Sequence, residues 1–197
     1  MKPPGLFSLL REDLRAHHGA WLRPGFQALA VYRFGFWKQR IRWRLLRIPF
    51  SLLHHCGSIF CRNFYGIELP CTVKIGRRLV LEHQHGITIH GNVVIGDDCV
   101  IRQGVTIGNR HLNDPFGAPV LGNHVNIGAG AKVLGRIHLG DHVNVGANAV
   151  VLSSVPAHTT VAGIPAKPVK RRKEAEATSP NGKTEAPVAE PSSEALP

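Results

Sequence analysis

The 197-residue chain contains no run of about eighteen apolar residues and no short apolar leader core near its N-terminus. Neither a membrane-spanning helix nor a signal peptide is expected, so the cytoplasm is the expected compartment, with the inner membrane surface as its one refinement. Cysteine is scarce. Cys56, Cys61, Cys71 and Cys99 show neither the paired spacing of a zinc site nor a disulfide framework. His83, His85 and His90 do not form a spaced zinc-ligand set either, so no metal is expected. Acidic residues number 13 against 24 Lys and Arg, for a formal charge of +11. The excess is local: Arg33, Lys38, Arg40, Arg42, Arg44 and Arg47 crowd one stretch, and Lys170 to Lys173 form another. From Leu69 to Pro156, neither the helical period of 3.6 nor the alternation of an amphipathic strand is present.

What is present is a count of six. Aliphatic residues fall at Leu69, Ile75, Leu81 and Ile87, then at Ile95, Ile101 and Ile107, and again at Leu121, Ile127, Val133, Leu139, Val145 and Val151. Four residues after most of them stands a second small or aliphatic residue, such as Val73, Leu79, Cys99, Val105, Val125, Ala131 or Val143. A fixed hexapeptide repeat is the mark of a parallel β-helix, in which three units make a coil of about eighteen residues and like positions stack into ladders. The inward aliphatics are core and carry no chemistry. The expected fold is mainly β with N-terminal helices, a left-handed parallel β-helix of hexapeptide repeats.

Three regions are expected. Residues 1–65 form an N-terminal helical segment: Leu6, Leu9, Leu10 and Leu14 recur at helical spacing, and Pro24 opens a second helix with Phe26, Leu29, Ala30, Phe34 and Trp37 on one side. The stretch from Trp37 to Phe50 mixes basic with large apolar residues. It reads either as a helix that packs its apolar face and solvates its charges, or as a peripheral contact of residues 37–50 with a membrane surface or a polyanion. Residues 66–169 form the repeat domain. Its count slips by two between Ile87 and Ile95 and is interrupted at 109–119 by a loop rich in Asn, Asp, Pro and Gly. Residues 170–197 are a basic and then disordered tail. A β-helix offers no groove-reading helix, so nucleic acid is not an expected partner.

Two places depart from the repeat. One is Leu81-Glu82-His83-Gln84-His85-Gly86; the other is the loop with Arg110, His111 and Asp114. A His at a coil edge with a carboxylate nearby is the minimum needed to deprotonate a hydroxyl near neutral pH. Glu68, fifteen residues before His83, falls on the adjacent coil about three positions away, where a carboxylate can orient an imidazole.

The stretches Gly66-Ile67-Glu68, Ile75-Gly76-Arg77, Leu81-Glu82-His83, Ile101 to Gly108, Ile127 to Gly135 and Gly163-Ile164-Pro165-Ala166 resemble the serine O-acetyltransferases, a branch of the hexapeptide-repeat acyltransferases. Gly25 to Leu29 with Tyr32-Arg33 resembles a helix of that family's N-terminal domain. The resemblance implies an O-acetyltransferase using acetyl-CoA as acyl donor, with active sites between the subunits of a homotrimer. It implies His83 as catalytic base with Glu68 as its partner, where the family has Asp. Gly108, Ala129, Ala147 and Lys167 become the implied CoA contacts, and Glu82, with Arg110 and His111 from the loop, the implied acceptor contacts.

The departures concern the acceptor. His17-His18-Gly19-Ala20 stands where serine-specific members carry an acidic, Pro-containing turn, and Gly117-Ala118-Pro119 stands where they carry Arg-His-Pro. A bidentate Arg grip on a carboxylate is a large part of amino-acid selection. The resemblance as a whole implies L-serine as acceptor, giving O-acetylserine for cysteine synthesis. The loop also resembles that of exopolysaccharide (colanic-acid-type) acetyltransferases, whose acceptor would be a sugar hydroxyl. A third reading, a non-catalytic β-helix scaffold, predicts no CoA binding. The chain ends Ala195-Leu196-Pro197 rather than in the Ile through which family members dock on the next cysteine-synthesis enzyme, so that complex is not expected.

Overall fold

The computed structural model describes residues 5–169; the tail expected from residue 170 lies outside the described residues. Three helices come first: α1 (Leu6–Ala16), α2 (Pro24–Lys38) and α3 (Arg44–Tyr65). Fifteen short strands then wind into a left-handed prism of three faces. The first face stacks β1 (Ile67–Glu68), β4 (Ile87–Ile89), β7 (Thr106–Gly108), β10 (Lys132–Leu134) and β13 (Val150–Val151). The second stacks β2 (Lys74–Ile75), β5 (Val94–Ile95), β8 (Val120–Leu121) and β11 (His138–Leu139). The third stacks β3 (Val80–Glu82), β6 (Val100–Arg102), β9 (Asn126–Ile127), β12 (Asn144–Val145) and β14 (Thr160–Ala162). All these pairings are parallel; β15 (Lys167–Pro168) then closes on β14 in the antiparallel sense.

The inward ladders are those the six-residue count demands. Leu81, Ile101 and Ile127 stack on the third face, and Val105, Ala131 and Ala149 fill the corner positions, all essentially without solvent exposure. Burying each Leu, Ile or Val stabilises the prism by about 1.5–3 kcal/mol. Cys99 is one of these packed residues. Its thiol lies against the carbonyls of Asp97 and Gly122, and burial pushes its pKa up to about 11, so it is no nucleophile.

The slip of two residues is not where the count put it. Ile87 pairs with Ile67 on one side and Ile89 with Ile107 on the other, and both are buried. Glu82 registers with Arg102, while a Cβ on Gly86 would rest on Gly104. Three residues, His83-Gln84-His85, therefore occupy a corner that Gln103 alone fills on the next coil. Ile87 and Ile89 are both aliphatic and both point inward, which hid the insertion one element upstream.

The helices are fastened to the first coil. Arg33 of α2 pairs with Asp13 of α1 at 2.8 Å, the two side chains only 4% and 0% exposed. Arg33 also donates to the carbonyls of Ile75 and Gly76, Tyr32 donates to Val73 O, and the Arg78 amide donates to Asp13. The buried face of α2 is built on Ala28, Leu29, Tyr32 and Arg33; of the side expected, Leu29 is fully buried, while Phe26, Ala30, Phe34 and Trp37 are only partly so. The stretch 37–50 is not one packed helix. It breaks between α2 and α3, and Trp43, Leu45, Leu46 and Ile48 are exposed. At the end of α3 only glycine serves: Gly66 has φ +62°, and a Cβ there would lie 2.9 Å from His85 Cα.

Candidate active site

The His83 corner joins β3 to β4. His83 and His85 both adopt the left-handed conformation, φ 64° and 74°, which non-glycine residues enter only where the surroundings hold them. Two anchors do so. The His85 amide donates to Tyr65 O at 2.7 Å, and its carbonyl accepts from the Gly104 amide at 2.9 Å. Beside the corner the N-terminus of α2 approaches so closely that a Cβ on Gly25 would collide with Leu81 O. Between them lies a cleft of about 550 Å³ lined by Arg23, Pro24, Gly25, Glu82, His83 and Gln84.

Two residues that shape this cleft had no signal in the sequence. Arg102 pairs through Nε with Glu82 at 2.8 Å and donates from Nη1 to Asn126, so the Glu82 charge is met within the chain. The pairing depends on a register lengthened by the inserted residues, which a strict count of eighteen does not produce. His17, 1% exposed, bridges α1 to β3: one ring nitrogen lies 2.7 Å from Asp13 O and the other accepts the Leu81 amide at 3.3 Å. Accepting that amide requires the neutral ring with its proton on the nitrogen facing Asp13 O. Burial holds the His17 pKa below the ordinary histidine value, which favours that form. The cleft thus combines an imidazole, a carboxylate already balanced by Arg102, the positive end of α2 and Arg23.

The remaining residues singled out by sequence are distributed over the prism. Glu68 is exposed on β1, in register with Thr88, and lines a different cleft of about 270 Å³ with His54, Ser58, Arg62 and Cys71; it makes no hydrogen bond to His83. Ala129 and Ala147 lie on the same edge as His83. The Asn148 amide bonds to Ala129 O and the Gly130 amide to Gln103 O, so His85, Gln103, Ala129 and Ala147 follow one another up the prism. At about 4.8 Å per strand, this edge runs about 14 Å from His85 to Ala147. Lys167 pairs with Ala162 at its far end. Gly108 stands apart at the foot of the projecting loop, registered with Leu134. Arg110 and His111 line a cleft on that loop's edge with Gly135 and Leu152, and Asp114 clamps the loop through two bonds to Arg136 at 2.6 and 2.7 Å. Within one chain they do not meet Glu82. Among the described residues, no group of three or more His, Cys, Asp or Glu could hold a metal.

Comparison with known proteins gives this geometry a context. Residues 118–153 match the family model "Bacterial transferase hexapeptide (six repeats)". The chain is 41% identical over 162 residues to the putative colanic acid biosynthesis acetyltransferase WcaB of Escherichia coli K12, covering 79% of this chain and 96% of that protein. It is 39% identical over 148 residues to the serine acetyltransferase of Synechococcus elongatus, covering 75% of this chain but only 58% of that relative's length. Among solved structures, serine acetyltransferase from Vibrio cholerae superposes with a TM-score of 0.71 at 32% identity, over 84% of this chain and 66% of that one. Serine acetyltransferase from Brucella abortus in complex with coenzyme A gives 0.70 at 28% identity, over 83% and 67%.

Proposed function

The chain belongs to the hexapeptide-repeat acyltransferases, and from that premise we propose that it is an acetyl-CoA-dependent O-acetyltransferase whose acceptor is a sugar hydroxyl. The observation that carries the reading is the edge on which an imidazole at His83 is followed, beyond Gln103, by the small residues Ala129 and Ala147. Side chains that short leave the backbone of the edge open to a ribbon-like ligand such as the pantetheine arm, with Lys167 at the far end for a phosphate. Gly108, at the foot of the loop, is the more distant of the assigned CoA contacts.

In the proposed reaction His83 accepts the proton of the acceptor hydroxyl as its oxygen attacks the thioester carbonyl. When the C–S bond breaks, His83 returns that proton to the leaving thiolate. Glu68 makes no bond to His83 within the chain, so its assigned part, holding the imidazole in its productive tautomer, requires these two exposed side chains to turn toward each other; Glu82, fixed by Arg102, is assigned to face the acceptor. Arg110 and His111 stand on a loop apart from the His83 cleft of their own chain, an arrangement suited to reaching the site of a neighbouring subunit in a homotrimer. A peripheral contact of the basic stretch 37–50 with a membrane surface belongs to the same reading.

The choice of acceptor rests on charge. An ammonium needs an uncompensated carboxylate, and Arg102 already occupies Glu82. A carboxylate needs a guanidinium where this chain has Gly117. The overall likeness to serine acetyltransferases supports L-serine as the second reading. Thiol release from acetyl-CoA by the purified chain separates the two. Release with nucleotide sugars or short glycans but not with L-serine is expected; release with L-serine alone moves the enzyme to cysteine synthesis, and silence with every acceptor together with no CoA binding leaves the scaffold.

A further inference from the structure

The first half of α3 touches the rest of the molecule along a narrow stripe only. Arg47, Ser51 and His54 are its partly buried residues, spaced as one side of a helix. The opposite arc, about 160° wide at about 100° per residue, carries Leu45, Leu46, Ile48, Leu52 and Leu53. All five are exposed, from 60% to 82%, and Trp43 stands out at the helix start, 75% exposed. No charged side chain falls on this arc; Arg44, His55 and Arg62 border it on one side. Large contiguous apolar surface of this kind marks an interaction site.

The surrounding charge says which partner fits. Residues 14–67 contain no Asp or Glu, while Lys38, Arg40, Arg42, Arg44, Arg47 and Arg62 lie on or beside α3. A second copy seated on this face about a two-fold axis would bring its own cations against these without one carboxylate to pair. An anionic bilayer supplies both complements, headgroup phosphates for the guanidinium groups and acyl chains for the leucines. No helix among the described residues is long and apolar enough to cross a membrane, so the contact is one in the plane of the surface.

We propose that the outward arc of α3 is a docking surface for anionic lipid bilayers, with the helix lying at the headgroup–acyl boundary. The contact moves from residues 37–50 to 43–53 and rests on the membrane part of the reading above, not on acetyl transfer. The test is flotation of the full chain with vesicles of phosphatidylcholine and phosphatidylglycerol, with pure phosphatidylcholine as control, at low and high salt. Wild type is expected to float with the anionic vesicles and to be released by salt, and Leu45→Glu/Leu52→Glu to bind about tenfold more weakly. Both side chains are exposed, so the variant is expected to keep its circular dichroism and thiol release.

Wild type left at the bottom of the gradient with anionic vesicles overturns the proposal, as does a variant that floats equally well. So does a wild-type mass by light scattering that the variant reduces, since that makes a second copy the occupant. Vesicle binding without thiol release on any acceptor sinks the enzymatic reading alone.

Discussion

Along the edge between the second and third faces, His124, His142 and His158 stand in the left-handed conformation, one per coil, with rings stacked at 4.6 and 4.8 Å. Arg78 and Asp98 hold the same place on the earlier coils and are paired to each other. Along the edge between the third and first faces, His83 and His85 adopt the same backbone conformation, but the next coil presents Gln103 and Gly104 to them. The first edge keeps the register and uses histidine as a stacking plate. The second breaks the register by two residues and leaves the His83 imidazole facing a cleft. Residue type and backbone angle are shared, so the difference lies in whether the neighbouring coil repeats the residue.

The largest expected break in that comparison comes from His83→Ala. Thiol release should fall about 10²–10⁴-fold, the usual worth of a general base, with CoA affinity kept. His142→Ala should keep full turnover and lose only stacking worth about 0.5–1.5 kcal/mol. Equal loss of turnover in both variants would dissolve the distinction. Removing Gln84 and His85 tests the register itself, because it returns the corner to the length of the Gln103 corner. Circular dichroism of the β-helix should persist while transfer falls by about 10²-fold, the cost of misplacing one catalytic group; retained transfer would mean that the inserted residues are ornament.

His17→Ala should act on stability rather than turnover, with about 1–3 kcal/mol lost from leaving the Leu81 amide unpaired. Because the folded-state pKa of His17 lies below its unfolded value, the neutral bridge contributes stability above about pH 6.5, and that contribution is lost as pH falls through the folded pKa. Denaturation midpoints measured from neutral to mildly acid pH should therefore fall more steeply in wild type than in the variant. Parallel curves would remove His17 from the acid response.

How much of this was legible in the sequence follows the same line between repeat and exception. The inward ladders could be read residue by residue because each coil repeats the same local chemistry. The projecting loop was legible too, since Asn, Asp, Pro and Gly interrupt the count there. The two-residue slip was detected but placed after Ile87 rather than at His83, because two aliphatic residues satisfied the pattern equally well. Arg102 and His17 were missed for a different reason. One depends on that altered register, the other on how α1 lands on β3, and neither leaves a trace in local spacing. The apolar arc of α3 was hidden because packing, not composition, decides which side of a helix is covered.

The antiparallel β15 carries a consequence for how such a prism avoids end-to-end growth. A stack of parallel coils ends in a row of free amides and carbonyls, ready to accept another stack. Here the returning segment takes up that row: the Val150 amide bonds to Gly163 O, the Ala166 amide to Val150 O, and the Val169 amide to Thr160 O. At the opposite end, α1 and α2 sit on the first coil. With both ends occupied, the prism is a filament segment stoppered at each mouth, and a chain cut before Gly163 would be an invitation to fibre growth.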